Sequence, residues 1–260
     1  MKAYKPILTA TVNRKGVLDV DTVKGCQYGM AKYPKGGCYG LCYANKTATR
    51  YGYDFTKSVS RSPWVDGISK SIEKIVAQHH AAWFRIGTMG DPSFDWDLTV
   101  SVCAWLAKLK TPVVITKHWK KLSNAQISML RECGAVVNTS ISPLDTPSEI
   151  EYRLNQFHSL FDSGVMSVLR IVSCDFGHTE IAKRLDGIQS GLFLESPVID
   201  NPLRIPLNDE RVIAGHINAR RVRDMSGMAS VSLHSDDVYI GVCHNCPDQC
   251  GTEFFKGGSK

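Results

Sequence analysis

The chain has 260 residues, 43% of them hydrophobic, which is enough for one substantial core. No run of eighteen apolar residues and no apolar leader are present, so a membrane span and secretion are excluded and a cytoplasmic protein is predicted. The net charge of +6 fits a nucleic-acid partner and equally fits ordinary solubility. Nine cysteines in an intracellular protein favour metal ligands or free thiols over disulfides.

The first third of the chain combines short strands, a glycine-rich cysteine segment and one amphipathic helix. Two short strands are predicted over residues 7–12 and 16–20, ahead of a cysteine segment over 25–45. A polar stretch with weak helical character follows over 46–61. Apolar residues at helical spacing then predict a helix over 63–82.

From residue 83 onward, strands and helices alternate. The predicted strands cover 83–87, 112–116, 135–141, 165–172 and 191–195, and the predicted helices cover 98–108, 123–133, 146–162 and 178–188. Ser123 and Thr146 are suitable N-caps, with Glu149 as the capping-box partner of Thr146. With one strand before the cysteine segment, about six strands imply a parallel sheet or barrel. Beyond them we expect a basic helix over 208–223 and a mobile tail over 256–260.

Three cysteines in seventeen residues form the most informative motif. Eleven residues separate Cys26 from Cys38, three separate Cys38 from Cys42, and the glycines among them allow tight wrapping of the backbone. No histidine lies in this segment, so a common zinc pattern is missing. Three thiolates without a fourth ligand suit a [4Fe–4S] cluster with one open iron. The alternative is a loop with three ordinary cysteines.

The Gly37-Cys38 pair and the run Cys42-Tyr43-Ala44-Asn45 resemble the cluster loop of radical S-adenosylmethionine enzymes, in their spore photoproduct lyase-like branch. The usual spacing in that loop is Cys-x3-Cys-x2-Cys, whereas this chain has Cys-x11-Cys-x3-Cys. An insertion over 30–36 explains the first gap. The resemblance implies an α/β fold with a partial (β/α)6 TIM-type barrel over 1–205, followed by a cysteine-containing extension over 206–260. It also implies a [4Fe–4S] cluster, S-adenosylmethionine as cofactor, and a one-electron reductase as partner.

Residues that follow the strands are the candidates for contact with the cofactor, because ligands of a parallel barrel lie at the carboxyl ends of its strands. Residues 88–92 resemble the segment that meets the methionine amino group in this superfamily; the alternative is a plain turn, and their position after a buried strand favours the functional interpretation. Arg170 lies inside a predicted strand and needs a carboxylate partner, either that of the cofactor or that of Glu195. The predicted cofactor-binding residues are Tyr43, Thr88, Gly90, Asp91, Lys117, Asn138, Ser140, Arg170 and Glu195.

Four further cysteines are candidates for chemistry. Cys174 follows the fifth strand of the alternating series, where a thiol could exchange a hydrogen atom with a substrate radical, although an ordinary structural thiol is the simpler interpretation. Cys243, Cys246 and Cys250 lie within eight residues and predict a second metal site. That site is an auxiliary [4Fe–4S] cluster, which we favour, or a zinc site. Its fourth ligand is His234, His244, Asp248 or substrate.

The leading hypothesis is a radical enzyme that abstracts hydrogen from a nucleic-acid base or nucleotide, because basic clusters lie at 117–121 and 220–223. A peptide or small metabolite is the alternative substrate. A non-catalytic, zinc-stabilised nucleic-acid-binding protein is the alternative from a different functional class.

Overall fold

The computed structural model describes residues 1–13, 16–32, 36–81, 83–224 and 227–256. The strands are β1 (Thr11–Val12), β2 (Leu18–Asp19), β3 (Val23–Lys24), β4 (Val59–Ser60), β5 (Trp83–Ile86), β6 (Thr111–Thr116), β7 (Val136–Ile141), β8 (Met166–Ile171), β9 (Asp175–Phe176), β10 (Val198–Asp200), β11 (Ile217–Asn218), β12 (Arg220–Asp224) and β13 (Gly227–Val231). The α-helices are α1 (Gln27–Lys32), α2 (Tyr43–Arg50), α3 (Ile68–Gln78), α4 (Trp96–Leu106), α5 (Asn124–Glu132), α6 (Pro147–Asp162), α7 (Glu180–Leu192) and α8 (Glu210–Ile213). Short 3-10 helices cover Cys38–Gly40, Pro92–Asp95, Cys243–Asn245 and Gln249–Phe255.

A seven-stranded sheet organises these elements in the order β1-β2-β5-β6-β7-β8-β10. All neighbouring pairs from β2 to β10 are parallel, and β1 joins the edge antiparallel to β2. The order follows the chain without reversal, so right-handed crossovers bring their helices to the same face. The predicted α/β class and the predicted parallel sheet are confirmed.

The two faces of the sheet pack against different partners because side chains alternate along each strand. Phe84, Val114 and Val137 point to the helices and join their main apolar cluster. The opposite face, called the inner face below, carries Val113, Val136 and Val168 in a separate cluster that includes Cys250. The segment Cys243–Phe255 therefore covers part of the face that the helices leave open.

Local sequence signals predicted the long helices well. Five of the predicted helices appear as α3 to α7, with ends shifted by a few residues. Ser123 and Thr146 are both N-caps, as expected; Thr146 forms the expected capping box with Glu149, and Ser123 forms a further one with Gln126. Ala82, the predicted end of the first of these helices, lies outside the described residues.

Two predicted elements are wrong. The strand expected over 191–195 is the end of α7 and a loop, and the edge strand is β10. The helix expected over 208–223 stops after one turn, because Gly215 adopts a left-handed φ of 69°. The chain then enters β11 and the hairpin β12–β13. The predicted mobile tail lies outside the described residues beyond Lys256.

Within the described ranges, no helix combines the length and apolar character needed to cross a bilayer.

Candidate metal and cofactor site

The cysteine loop, defined here as residues 25–45, is attached to the carboxyl edge of the sheet. Gly25 forms a parallel bridge with Gly90, and its N–H donates to the Met89 carbonyl at 2.9 Å. A β-carbon at Gly90 would stand 2.5 Å from the Val23 carbonyl oxygen. The backbones approach so closely that only glycine fits at position 90. Gly90 is therefore part of the backbone contact that attaches the cysteine loop to the segment after β5.

The three thiols of the loop gather around two glycines. A β-carbon at Gly29 would lie 3.0 Å from Cys26 Sγ and 3.4 Å from Cys38 Sγ. A β-carbon at Gly37 would lie 2.7 Å from the Cys42 β-carbon and 3.5 Å from its Sγ. The absence of side chains at these glycines leaves room for the sulfur atoms. The loop thus brings together the three cysteines that the sequence singled out.

Burial and mutual repulsion keep these thiols protonated in the metal-free chain. Burial raises the pKa of Cys26, and the neighbouring Asp91, Cys38 and Cys42 raise it further. Burial raises the pKa of Cys38 to about 11, against the opposing effect of Lys117. A cation that binds the thiolates would displace protons from all three.

Thiols are the only donors of this type inside the loop, and the donor set fits an iron–sulfur cluster better than a hard cation. Among the described residues, no group of three or more His, Cys, Asp or Glu side chains is arranged to hold a metal ion. The donor chemistry of the loop therefore fits a cluster.

A buried ionic network ties the cysteine loop to the ends of β6 and β7. Tyr39, between Cys38 and Cys42, donates its hydroxyl proton to Asp145 Oδ1 at 2.6 Å. Lys117 Nζ lies 3.3 Å from the same carboxylate oxygen, and Arg153 pairs with its other oxygen. Burial alone would raise the pKa of Asp145, but Lys117 and Arg153 hold it below its usual value. Lys117, predicted to contact the cofactor, is committed to this network.

The loop after β5 is held by two carboxylates. Asp21, only 4% exposed, accepts hydrogen bonds from the N–H groups of Gly87 and Thr88 and from the Thr88 hydroxyl. Asp91 accepts hydrogen bonds from the Thr116 hydroxyl at 2.7 Å and the Lys117 N–H at 2.8 Å. Both carboxylates therefore fix the backbone, which leaves the Thr88 carbonyl to accept the hydroxyl proton of Tyr43.

Three of the predicted cofactor residues line the inner face. Asn138 and Ser140 alternate along β7 and are 0% and 9% exposed. Arg170 on β8 is paired in register with Ser140 and donates to Asn201 Oδ1 at 2.6 Å. The Nδ2 group of Asn138 donates to the Cys250 carbonyl, whereas its Oδ1 has no hydrogen-bond partner. A buried acceptor without a partner is costly unless a ligand or water supplies a donor.

The second cysteine trio also lies over the inner face. Arg85 on β5 is held by Asp19 at 3.0 Å, and its other nitrogen lies 3.7 Å from Cys243 Sγ. Burial raises the pKa of Cys250, while Arg170 and Arg85 lower it and the other two thiols raise it. The three thiols and two guanidinium groups are thus electrostatic neighbours.

Two predicted residues lie away from these groups. Cys174 is fully buried in an apolar cluster with Phe176 and Ile205, and burial raises the pKa of its thiol to about 12. Glu195 follows α7 and pairs with His158 at 2.8 Å. The predicted contact between Glu195 and Arg170 is wrong, because the strand that was expected to carry Glu195 is displaced to β10.

Sequence reasoning missed Tyr39, Asp21, Asp145 and Arg153. Asp21 and Asp145 each follow a strand closely, so the rule that favours strand ends could have included them. Arg153 had one further signal. It lies four residues after Glu149 on the same side of α6 as Phe157, which marks a charged residue on a buried helix face.

Comparisons with known proteins give no relative for this arrangement. No protein-family model, no curated protein and no solved structure matches the chain.

Proposed function

We propose that the chain is a radical S-adenosylmethionine enzyme whose cysteine loop holds a [4Fe–4S] cluster through Cys26, Cys38 and Cys42. The observation that carries the proposal is the gathering of these thiols around Gly29 and Gly37, at the carboxyl edge of a parallel sheet. Thiol-only ligation and the end of the sheet where ligands bind both support it.

The finer fold belongs to the same proposal. The six parallel strands form an open (β/α)6 barrel, and the inner face is its interior. Sequential strand order supports this, because a doubly wound sheet reverses its order at a switch point.

The protein's own residues bind and orient the cofactor. When bound, the reduced cluster and S-adenosylmethionine supply a 5′-deoxyadenosyl radical that abstracts hydrogen from the substrate. Tyr43, directly after Cys42, contacts the adenine, and Ser140 and Asn138 hydrogen-bond the polar groups of the cofactor. The unpartnered Oδ1 of Asn138 supports this assignment, because a ligand hydroxyl or amino group would satisfy it. The apolar residues of the inner face exclude water from the reacting atoms.

Two partners complete the proposal. A one-electron reductase supplies the electron for the cluster. The substrate is a nucleic-acid base or nucleotide, with the excess of basic residues as support. Cys243, Cys246 and Cys250 hold a second [4Fe–4S] cluster or zinc, and the nearby Arg85 and Arg170 offset the negative charge of bound thiolates.

The test is anaerobic reconstitution followed by assays of iron, sulfide and 5′-deoxyadenosine. Alanine substitution of Cys26, Cys38 and Cys42 should abolish cofactor cleavage and lower the absorbance at about 400 nm, typical of such clusters, to what a second cluster at Cys243, Cys246 and Cys250 contributes. Cys133→Ala is the matched control, because that half-buried thiol lies outside both trios. Cleavage by the triple variant would overturn the assignment. Near-stoichiometric zinc without iron would instead favour a zinc-stabilised binding protein.

A further inference from the structure

The positive charge of the chain is concentrated around the cysteine loop. Between Thr22 and Val65 lie seven of the 31 basic residues but only one of the 25 acidic residues, which leaves 24 of each elsewhere. The whole net charge of +6 therefore belongs to this segment. A local excess of this size creates a positive potential that attracts polyanions.

Three of these seven cations have structural roles. Lys32 pairs with Glu149 at 3.0 Å, and Lys57 pairs with Asp54 at 3.5 Å. Arg61 is 6% exposed and donates to the Lys5 carbonyl.

Two cations of the segment remain available to a partner. Lys46 and Arg50 are exposed one turn apart on α2, directly after the cysteine loop. Within the part of the chain that the structure describes, neither is in a salt bridge.

Exposed aromatic rings accompany these two cations. Tyr43 begins α2 and is 58% exposed, and Tyr51, the residue after the helix, is 62% exposed. Large aromatic rings at such exposure are available for stacking on nucleobases, which are planar and themselves aromatic. Two cations flanked by two exposed rings, at and just after one helix, match the chemistry of a single nucleic-acid strand.

A second basic element, the hairpin β12–β13, is tied to the segment after β10, because the Ile205 N–H donates to the Ser230 carbonyl at 3.2 Å. Arg221 and Arg223 are exposed and share one face of β12, opposite Ser230 and Met228 on β13. Arg220, on the other face, pairs with Asp236. The hairpin β12–β13 is thus an arm with two cations on one side and no carboxylate directly across from them.

The segment before the hairpin connects this arm to the cysteine loop. Arg211 donates to the Tyr39 carbonyl at 3.0 Å and also hydrogen-bonds Asp209. Arg211 and, to a smaller extent, Lys46 lower the pKa of Asp209. The segment before the hairpin therefore contacts the cysteine loop through Arg211 and Tyr39.

The basic cluster over 117–121 is less available for binding phosphates than the sequence indicated. Lys117 is buried against Asp145, and Lys120 donates to the Phe94 carbonyl at 2.6 Å while its ammonium lies over the Phe94 ring. The exposed cations of α2 and β12 are better placed to contact phosphates.

We propose that Lys46, Arg50, Arg221 and Arg223 bind the phosphates of a single strand of nucleic acid and guide it past the cysteine loop. A single strand is specified because a base must leave a duplex to reach a recessed site, and the exposed ring of Tyr51 offers stacking to unpaired bases. The proposal deepens the proposed function by naming the substrate surface, but binding itself needs no cluster.

The test measures the salt dependence of binding of fluorescent single-stranded DNA and RNA oligonucleotides to the full chain by anisotropy. Each phosphate contact contributes roughly 0.7 to the slope of log affinity against log salt for a single strand. Lys46→Gln/Arg50→Gln and Arg221→Thr/Arg223→Thr should each reduce the magnitude of the slope by about 1.4. These replacements keep helix and strand propensity, and circular dichroism verifies the fold.

The matched control is Lys74→Gln/Lys108→Gln, which removes the same charge from α3 and from the loop before β6, where both lysines are exposed. Its slope should equal that of the parent. An equal loss in the control, or an unchanged slope in both test pairs, would overturn the proposal. Stronger binding to phosphatidylserine vesicles, lost in the same variants, would also overturn it and identify a membrane surface. Because the metal-free protein is used, failure here is distinct from failure to cleave S-adenosylmethionine.

Discussion

The buried carboxylate of Asp145 offers the sharpest test of the network that anchors the cysteine loop. Its side chain is 1% exposed, and those of its partners Lys117 and Arg153 are 11% and 2% exposed. Asp145→Asn preserves the shape of the side chain while removing its charge. Two buried cations then lose their common anion, and the remaining carboxylate beside Arg153 is that of Glu149, at the longer distance of 3.4 Å.

The expected cost follows from this burial. Removing one partner of a buried ion pair destabilises a protein by about 3–5 kcal/mol, because the remaining charge stays desolvated. For a chain of this size, each kcal/mol lowers Tm by roughly 2–4 °C, so the expected drop is roughly 6–20 °C. The loss should be accompanied by weaker protection of the cysteine loop, since Tyr39 donates to the same carboxylate.

Urea denaturation and thermal melts of the metal-free protein measure the effect. The matched control is Glu180→Gln, which breaks a surface pair with Lys183 in which the Glu180 side chain is 87% exposed. That control should cost less than about 1 kcal/mol. If Asp145→Asn costs no more than the control, the network does not hold the loop. If Asp145→Asn fails to fold, Tyr39→Phe is the second variant; it removes only the hydroxyl that donates to Asp145, so it should lower Tm by less.

Three further predictions concern pH, backbone contact and cofactor affinity. The pKa of Asp145 is lower in the folded than in the unfolded chain, so its stabilisation is complete above the unfolded value and is lost as pH falls through the folded one. Urea titrations below about pH 4 should therefore show a smaller loss of stability for Asp145→Asn than for the parent. Gly90→Ala should displace the cysteine loop and lower Tm, because its β-carbon would meet the Val23 carbonyl at 2.5 Å. Gly187→Ala in α7, where a β-carbon meets nothing within 4 Å, should leave Tm unchanged or raise it; an equal loss in both would refute the contact. Ser140→Ala should weaken S-adenosylmethionine binding to the reconstituted protein in isothermal titration without changing Tm, and unchanged affinity would remove Ser140 from the cofactor site.

The strands and helices that depend on local signals were predictable from the sequence. β6, β7 and α6 were found because buried apolar runs, caps and capping boxes act over a few residues. The hairpin β12–β13 was not, because a run rich in arginine can follow a helical pattern as easily as an extended one. The strands β12 and β13 pair across a turn, and the spacing of residues along a helix carries no information about such pairing.

The residues of the candidate site likewise fall into those that the sequence predicted and those that it did not. The cysteines were found because their residue type and clustering are visible in the sequence alone. The network of Tyr39, Lys117, Asp145 and Arg153 was not found as a unit, because it joins residues up to 114 positions apart through tertiary contact. Gly90, which the sequence places among the cofactor-binding residues, has a close backbone contact with Val23 that no sequence pattern reveals.

The segment Gln249–Phe255 has a consequence for the order in which the protein acquires its structure. The Cys250 carbonyl accepts a hydrogen bond from Asn138, which lies 112 residues earlier in the chain. Gly251 packs so closely against Val168 that a β-carbon on the glycine would lie 2.6 Å from a methyl group of the valine. At about 5–20 residues per second, the ribosome completes this segment roughly 4–17 s after β8. During that interval the apolar part of the inner face that this segment later covers, including Val136 and Val168, is exposed to solvent and to chaperones.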